Sequence, residues 1–361
     1  MRASRAPGPK MRGSFEPNFS VTVRSCCKIP KGRYLKGWGV KNRFENVPGE
    51  VVVAGLLGGI SVDDGPTGEQ LAVLDAIGTY YLECGDLTVS TISPLSPAEI
   101  ASALPRPEDR RRFHHLLVAL EAARHPQSAA QVGAVQRYAS ALGVDGPDLV
   151  MFRSLIDRGV QGAATDYRRF IDKMAPRRAE PTLVLDAFDP TKPEPELVKR
   201  LEAFSDLPED SLGRAFLSFY ERTGLDLPGK DAALMNHFYV AHDMTHVIAG
   251  IGTSSPGEIA LSGFMVAMND DDVNFSALLA SLVIHEAGFG RPTSIRSAET
   301  ETLAREGAAV LLGQEMARGA LCTADFSLVD HFALAPLPLA TVRQRFGVVA
   351  PDDPDDGFHI W

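Results

Sequence analysis

From about residue 50 onward, apolar positions recur along the chain at helical spacing. After the turn Asp63-Asp64-Gly65-Pro66, the residues Leu71, Leu74, Ile77 and Tyr81 fall every three or four positions and predict a helix. Arg111 to Arg124 predicts another, with Phe113, Leu116, Leu117 and Leu120 on one face. Pro126 ends it and opens the next, whose stripe is Val132, Val135 and Leu142 and whose stop is Gly143. Leu149 to Ile156 and Asp166 to Met174 complete an N-terminal helical domain over residues 50–175. Pro176, Pro181, Pro190, Pro193 and Pro195 then crowd one stretch. Proline blocks helices and stiffens the chain, so residues 176–195 are expected to be a linker. A second helical domain is expected over residues 196–361. The expected fold class is all-α, with two helical domains joined by a Pro-rich linker, and 361 residues suit that number.

Charge changes the picture at one end. The net charge is -10, yet Met1 to Glu50 holds eleven Lys and Arg against three acidic residues. Residues 1–49 therefore form a basic arm on an acidic body, which suits contact with an anionic membrane surface or another polyanion, or a solvated tail. No apolar run approaches the roughly 20 residues needed to span a bilayer; the longest, Val51 to Val62 and Phe275 to Ile284, read as buried segments. The four cysteines form no CxxC pair, so a disulfide framework is not expected and a reducing, cytoplasmic setting is.

The chemistry lies between Asp231 and Phe264. Asp231 to Ala249 predicts a helix, ended by Gly250 and Gly252. At about 100° per residue, His242, Asp243 and His246 fall within about a quarter of its circumference, while His237 falls nearly opposite. Two imidazoles one turn apart can hold one cation, and the adjacent carboxylate can reach it from the side. Glu258 follows a Gly-Ser-Pro loop at the start of the next helix, and a tight hairpin would return it over the first. His242, Asp243, His246 and Glu258 are thus the expected metal ligands, and the catalytic cluster if the site is catalytic. Two nitrogens and two carboxylate oxygens suit Zn²⁺; Mn²⁺ and Fe²⁺ are also compatible, because thiolates are absent. Ala249 and Gly250 on the metal face, Phe238 and Tyr239 before it, and Ile259, Leu261, Phe264 and Met265 after it suggest either an apolar groove beside the ion or two packed helices.

HDxxH, eleven residues and then Glu resembles the zinc motif of the ubiquinone (coenzyme Q) biosynthesis family that holds the ring-modifying enzymes together. Leu207-Pro208-Glu209-Asp210-Ser211-Leu212-Gly213-Arg214-Ala215-Phe216 and Pro336-Leu337-Pro338-Leu339-Ala340-Thr341-Val342-Arg343-Gln344-Arg345-Phe346-Gly347 are similar to that family's flanking segments. The likeness covers about half the chain, from about Asp186 onward. It implies a peripheral protein on the inner face of a membrane that binds a prenylated aromatic or isoprenoid lipid. It further implies association with other quinone-biosynthesis enzymes, and a role in replacing the ring C1 carboxylate by a hydroxyl or in organising those enzymes. A homo-oligomer is the expected assembly. The stretch Leu117 to Ile156 bears a weaker resemblance to a tellurite-resistance B-like helical domain, but its loop, Arg124-His125-Pro126-Gln127-Ser128, lacks the acidic residues of that domain, so no metal site is expected there.

Two other readings stand beside this one. In the first, the protein is a non-catalytic lipid-binding scaffold with a structural zinc. In the second, it is a zinc hydrolase in which Asp243 is the general base and His242, His246 and Glu258 bind the ion. Asn269 to Asp272 reads as a solvated helix end, His114 and His115 as an exposed face, and His285-Glu286 as a helix terminus.

Overall fold

Local caps set most of the helix boundaries. In the computed structural model, which describes residues 44–85, 88–126, 128–144, 169, 173–174, 176–183, 192–230, 237–287 and 300–361, α1 spans Gly49–Ile60. α2 spans Gly68–Ala76 and opens with a capping box: the Thr67 hydroxyl accepts from the Gln70 N–H, and the Gln70 side chain accepts from the Thr67 N–H. A π-helical turn, Ile77–Tyr81, continues α2. α3 (Pro97–Ala103) and α4 (Pro107–Ala122) both start on proline, whose missing N–H is one a first helical turn leaves unpaired anyway. α5 (Ala129–Leu142) is capped by Ser128 and stops at Gly143, which takes the left-handed conformation of a helix stop.

α6 (Pro195–Glu202), α7 (Leu212–Thr223) and α8 (Phe238–Ala249) follow. α9 (Ser255–Met268), α10 (Asp272–Ser281), α11 (Ala308–Gly319), α12 (His331–Leu334) and α13 (Leu339–Phe346) complete the set. The protein is all-α. Among the described residues, β structure is limited to isolated bridges such as Ser211 to Pro338. The basic arm up to residue 43, the helix expected at Leu149 to Ile156, most of that at Asp166 to Met174 and the first six residues of that at Asp231 lie outside the described residues.

The apolar side chains divide into two cores, and the division does not fall at the Pro-rich stretch. The first core joins Val52, Leu56, Leu74, Phe113 and Leu117 from the N-terminal helices to Ile259 and Val266 of α9, Leu278 and Leu279 of α10, and Leu312 and Met316 of α11. The second gathers Phe216, Phe219, Val240, Met244, Phe326 and Val342 around Leu261, Phe264 and Met265, again of α9. α9 is buried on almost every side and belongs to both. The described residues from Phe44 to Trp361 accordingly fall in one unit. A boundary placed from proline density misses this, because proline stiffens a chain without saying which helices pack across it.

Close approach of α9 and α11 depends on glycine. A Cβ on Gly263 would lie 2.4 Å from Leu312, and one on Gly319 would lie 2.1 Å from the Phe264 carbonyl. Helical glycine costs about 1 kcal/mol in conformational freedom; here it lets two buried helices touch.

Several residues expected at the surface are inside. His114 and His115 are buried, as is Asp270. His115 Nδ1 lies 2.5 Å from Asp270 Oδ1, and its ring stacks on Phe275 with centroids 3.6 Å apart. Arg111 donates to the Asp270 carbonyl. Of the aspartate run only Asp272 is exposed, so the run is not a simple solvated helix end. Asp270 ties α4 to the start of α10, and Asp271 caps α10 by accepting from Val273 and Asn274.

Candidate metal centre

α8 carries the two imidazoles and is fastened at both ends. At its start, the Glu194 carboxylate accepts from the His237 N–H and contacts the His237 ring. His237 thus faces away from the metal-competent side, as its place on the helix implies. At the other end Gly250 takes φ +73°, and its N–H donates to the His246 carbonyl. Arg343 donates to the carbonyls of Val247 and Ile248, and Arg318 donates to that of Ala249. Two guanidinium groups on the last carbonyls of a helix satisfy acceptors that have no partner within it, and they oppose the negative end of its dipole.

The chain then reverses within a few residues. Ser254 caps α9 by accepting from Gly257, and Glu258 falls in the first turn, where the positive end of the helix favours a carboxylate. This hairpin brings Glu258 over α8. His242 Nε2 and His246 Nε2 lie 3.2 Å apart. Each is 3.3 Å from a Glu258 carboxylate oxygen, His242 from Oε2 and His246 from Oε1. Donor atoms about 2.0–2.1 Å from a tetrahedral zinc ion are about 3.3 Å from one another. The three side chains are therefore spaced as zinc ligands are.

The cluster keeps its carboxylate ionised. Burial disfavours a charged Glu258, but the facing imidazoles outweigh it and hold the carboxyl well below its usual range. Burial lowers the pKa of His242. His246 is also opposed by burial, yet the Glu258 carboxylate raises it. His246 Nδ1 lies 2.9 Å from the Ile251 carbonyl, which can only accept. The proton belongs on Nδ1 and the Nε2 lone pair points at the cluster, the arrangement of a metal-ligating histidine and its supporting carbonyl. His246 is fully buried, whereas the side chains of His242 and Glu258 are each 17% exposed, so the cluster opens to the surface on their side.

Asp243, expected as a fourth ligand, is not among the donors gathered within 4.8 Å of one another, which belong to His242, His246 and Glu258. It is buried, and its carboxylate accepts from the Tyr220 hydroxyl of α7. Burial pushes the Asp243 carboxyl up to about 7. The helical wheel puts Asp243 at the edge of the metal face, and the packing of α7 gives its carboxylate the Tyr220 hydroxyl as a partner. The expected groove is also not formed by the residues proposed for it. Ala249 is in the core, Gly250 is covered by Trp361, and Ile259, Leu261, Phe264 and Met265 are all buried between the two cores. Those residues are helix packing.

Three residues near the site were not found from the sequence. Tyr220 holds Asp243; Phe219, beside it, stacks on His246 with centroids 5.8 Å apart. Arg178 Nη2 is 3.5 Å from His242 Nδ1, and its guanidinium lies 5.7 Å from the Phe238 ring centroid. Arg343 lies in the closing segment, Pro336 to Gly347, that resembles the family's. In space that segment lies against the other: the N–H groups of Leu212 and Gly213 donate to the carbonyls of Leu337 and Ala335. The two stretches form one support behind α8.

No protein-family model and no curated protein matches the chain. Among solved structures it is similar to one described as a candidate ubiquinone biosynthesis protein from Nostoc punctiforme, at 16% identity over 67% of this chain and 98% of that one, with a TM-score of 0.31.

Proposed function

We propose that the chain binds one divalent ion, zinc in the first instance, through His242, His246 and Glu258, and presents it to a prenylated aromatic acid in quinone biosynthesis. The observation that supports this reading is the convergence of three donor side chains at 3.2–3.3 Å within a motif that resembles the family's own. Bound there, the ion would supply a Lewis acid for a ring carboxylate or phenolate. The protein's own part is orientation. The Ile251 carbonyl fixes the His246 tautomer, and the partial exposure of His242 and Glu258 leaves an approach from outside. Arg178, beside His242, adds a positive charge where an anionic ring would enter. Part-exposed Phe238 and Tyr239 flank it with apolar surface.

A structural zinc normally has four protein ligands, whereas three ligands and an open side are the pattern of a site that receives something. The position of Asp243 against Tyr220 thus favours the ligand-receiving reading over a metal that only fixes the fold.

Metal content and binding of a prenylated 4-hydroxybenzoate by the purified full chain test the proposal. His242→Ala and Glu258→Ala should each lose one metal per chain relative to wild type and lose binding of the acid. Equal metal content in all three proteins would overturn the site. Intact binding of the acid by both variants would overturn the substrate class.

A further inference from the structure

Glu69, His125 and Glu286 come from three separate places: the first turn of α2, the loop after α4, and the π-helical turn Leu282–Glu286 that continues α10. One ligand-competent atom from each lies within 4.8 Å of the others. His125 Nε2 is 2.7 Å from Glu286 Oε1, and Glu286 is fully buried. Its second oxygen accepts from the Leu303 N–H at 2.8 Å. Glu69 Oε1 is buried and has no hydrogen-bond partner among the described residues. Two carboxyl groups facing each other, one of them wholly buried, cannot both ionise unaided; a shared proton, a charged His125 or a metal cation must offset them. Burial and then the facing Glu286 push the Glu69 carboxyl up to about 9, with Glu301 adding to the repulsion. Glu69 also lines a cavity of about 370 Å³, whose wall includes Thr79 and Tyr80 of the other π-helical turn. π-helical turns inside helices recur at functional sites.

We propose that Glu69, His125 and Glu286 form a second divalent-cation site. One imidazole nitrogen with carboxylate oxygens suits Mn²⁺ or Zn²⁺ and excludes the soft, thiolate-seeking ions. The ion would replace the shared proton and tie α2 and the α4–α5 loop to the end of α10, segments up to 217 positions apart in the chain. It would thereby fasten the N-terminal helices to α10, which packs against α9, the helix that carries Glu258 of the first site. The loop Arg124 to Ser128, expected to hold no metal because it lacks acidic residues, supplies only the imidazole. Both carboxylates arrive from elsewhere.

The test uses the full chain, stripped with a chelator and titrated with Mn²⁺ and separately with Zn²⁺. Mn²⁺ is followed by the loss of its free-ion electron paramagnetic resonance signal, Zn²⁺ by calorimetry, and both by the shift in Tm. His242→Ala removes the first centre and should leave one ion per chain, with a Tm that still rises on metal addition. Adding Glu69→Gln to His242→Ala should weaken that remaining binding at least tenfold and abolish the Tm rise. Glu286→Gln should do the same; if it does not fold, Glu69→Gln, on a part-exposed residue, still decides. No metal bound by His242→Ala, or binding unaffected by Glu69→Gln, would overturn the second site. Loss of the first centre alone appears only in the wild-type comparison with His242→Ala, so the two proposals fail separately.

Discussion

Gly250→Ala is the substitution that most directly tests how α8, the helix of the proposed metal site, is ended. The residue has φ +73°, where a Cβ crowds the following carbonyl at a cost of about 1–2 kcal/mol. The new Cβ would also lie 2.6 Å from Trp361 Cε3 and 3.2 Å from Arg343 Nη2, so something must move. Trp361 is 39% exposed, so it is the group that gives way. Its ring covers the Arg343 guanidinium at 3.5 Å, a contact worth about 0.5–1 kcal/mol at such a site. Together the loss should be about 1.5–3 kcal/mol, read as a lower urea midpoint with an unchanged slope. In a Trp361→Ala background the steric part disappears and the backbone part stays, so Gly250→Ala should then cost about 0.5–1 kcal/mol less. Gly250→Asn should be milder than Gly250→Ala, because asparagine tolerates this conformation. Zinc affinity should fall with stability, since the Ile251 carbonyl that orients His246 is one peptide away. A cost below about 0.5 kcal/mol, the level of an ordinary surface substitution, would refute the reasoning. So would a cost independent of Trp361.

Asp243→Asn should keep the metal content of wild type while His246→Ala loses one ion per chain; matching losses would place Asp243 among the ligands after all. A fragment of residues 186–361 should show no cooperative unfolding transition, because it strips Ile259, Val266, Leu278 and Leu312 of the partners they have in the first core; a sharp urea transition in that fragment would restore the two-domain division. The metal-free protein should lose stability as pH rises from about 4.5 toward about 9. The unfolded chain releases the Glu69 proton near the ordinary value, whereas the folded protein holds it to the upper one, so ionisation increasingly favours unfolding. Glu69→Gln should flatten that slope in a urea titration across pH, and an unchanged slope would count against the Glu69–Glu286 contact.

The sequence by itself determined the local features of this protein. Its helical class follows from apolar spacing, and the stops at Gly143 and Gly250 follow from the one residue type that takes a left-handed conformation freely. His242 and His246 one turn apart, and Glu258 just past a short reversal, are likewise local: helical period and one tight loop are enough to bring them together. What lay beyond reach involved partners far away in the chain. Whether Asp243 turns to the ion or to Tyr220 depends on where α7 packs, and a helical wheel carries no record of that. The burial of His115 and Asp270 depends on α4 meeting α10, so charges that look solvated in sequence end up paired inside. The cluster of Glu69, His125 and Glu286 has no spacing at all to read, and only the joint packing of α2, α4 and α10 assembles it. The core shared across the Pro-rich stretch has the same origin. α9 is apolar on nearly every side, and a helix with no polar face must be covered from all directions, by whichever helices the tertiary fold brings to it.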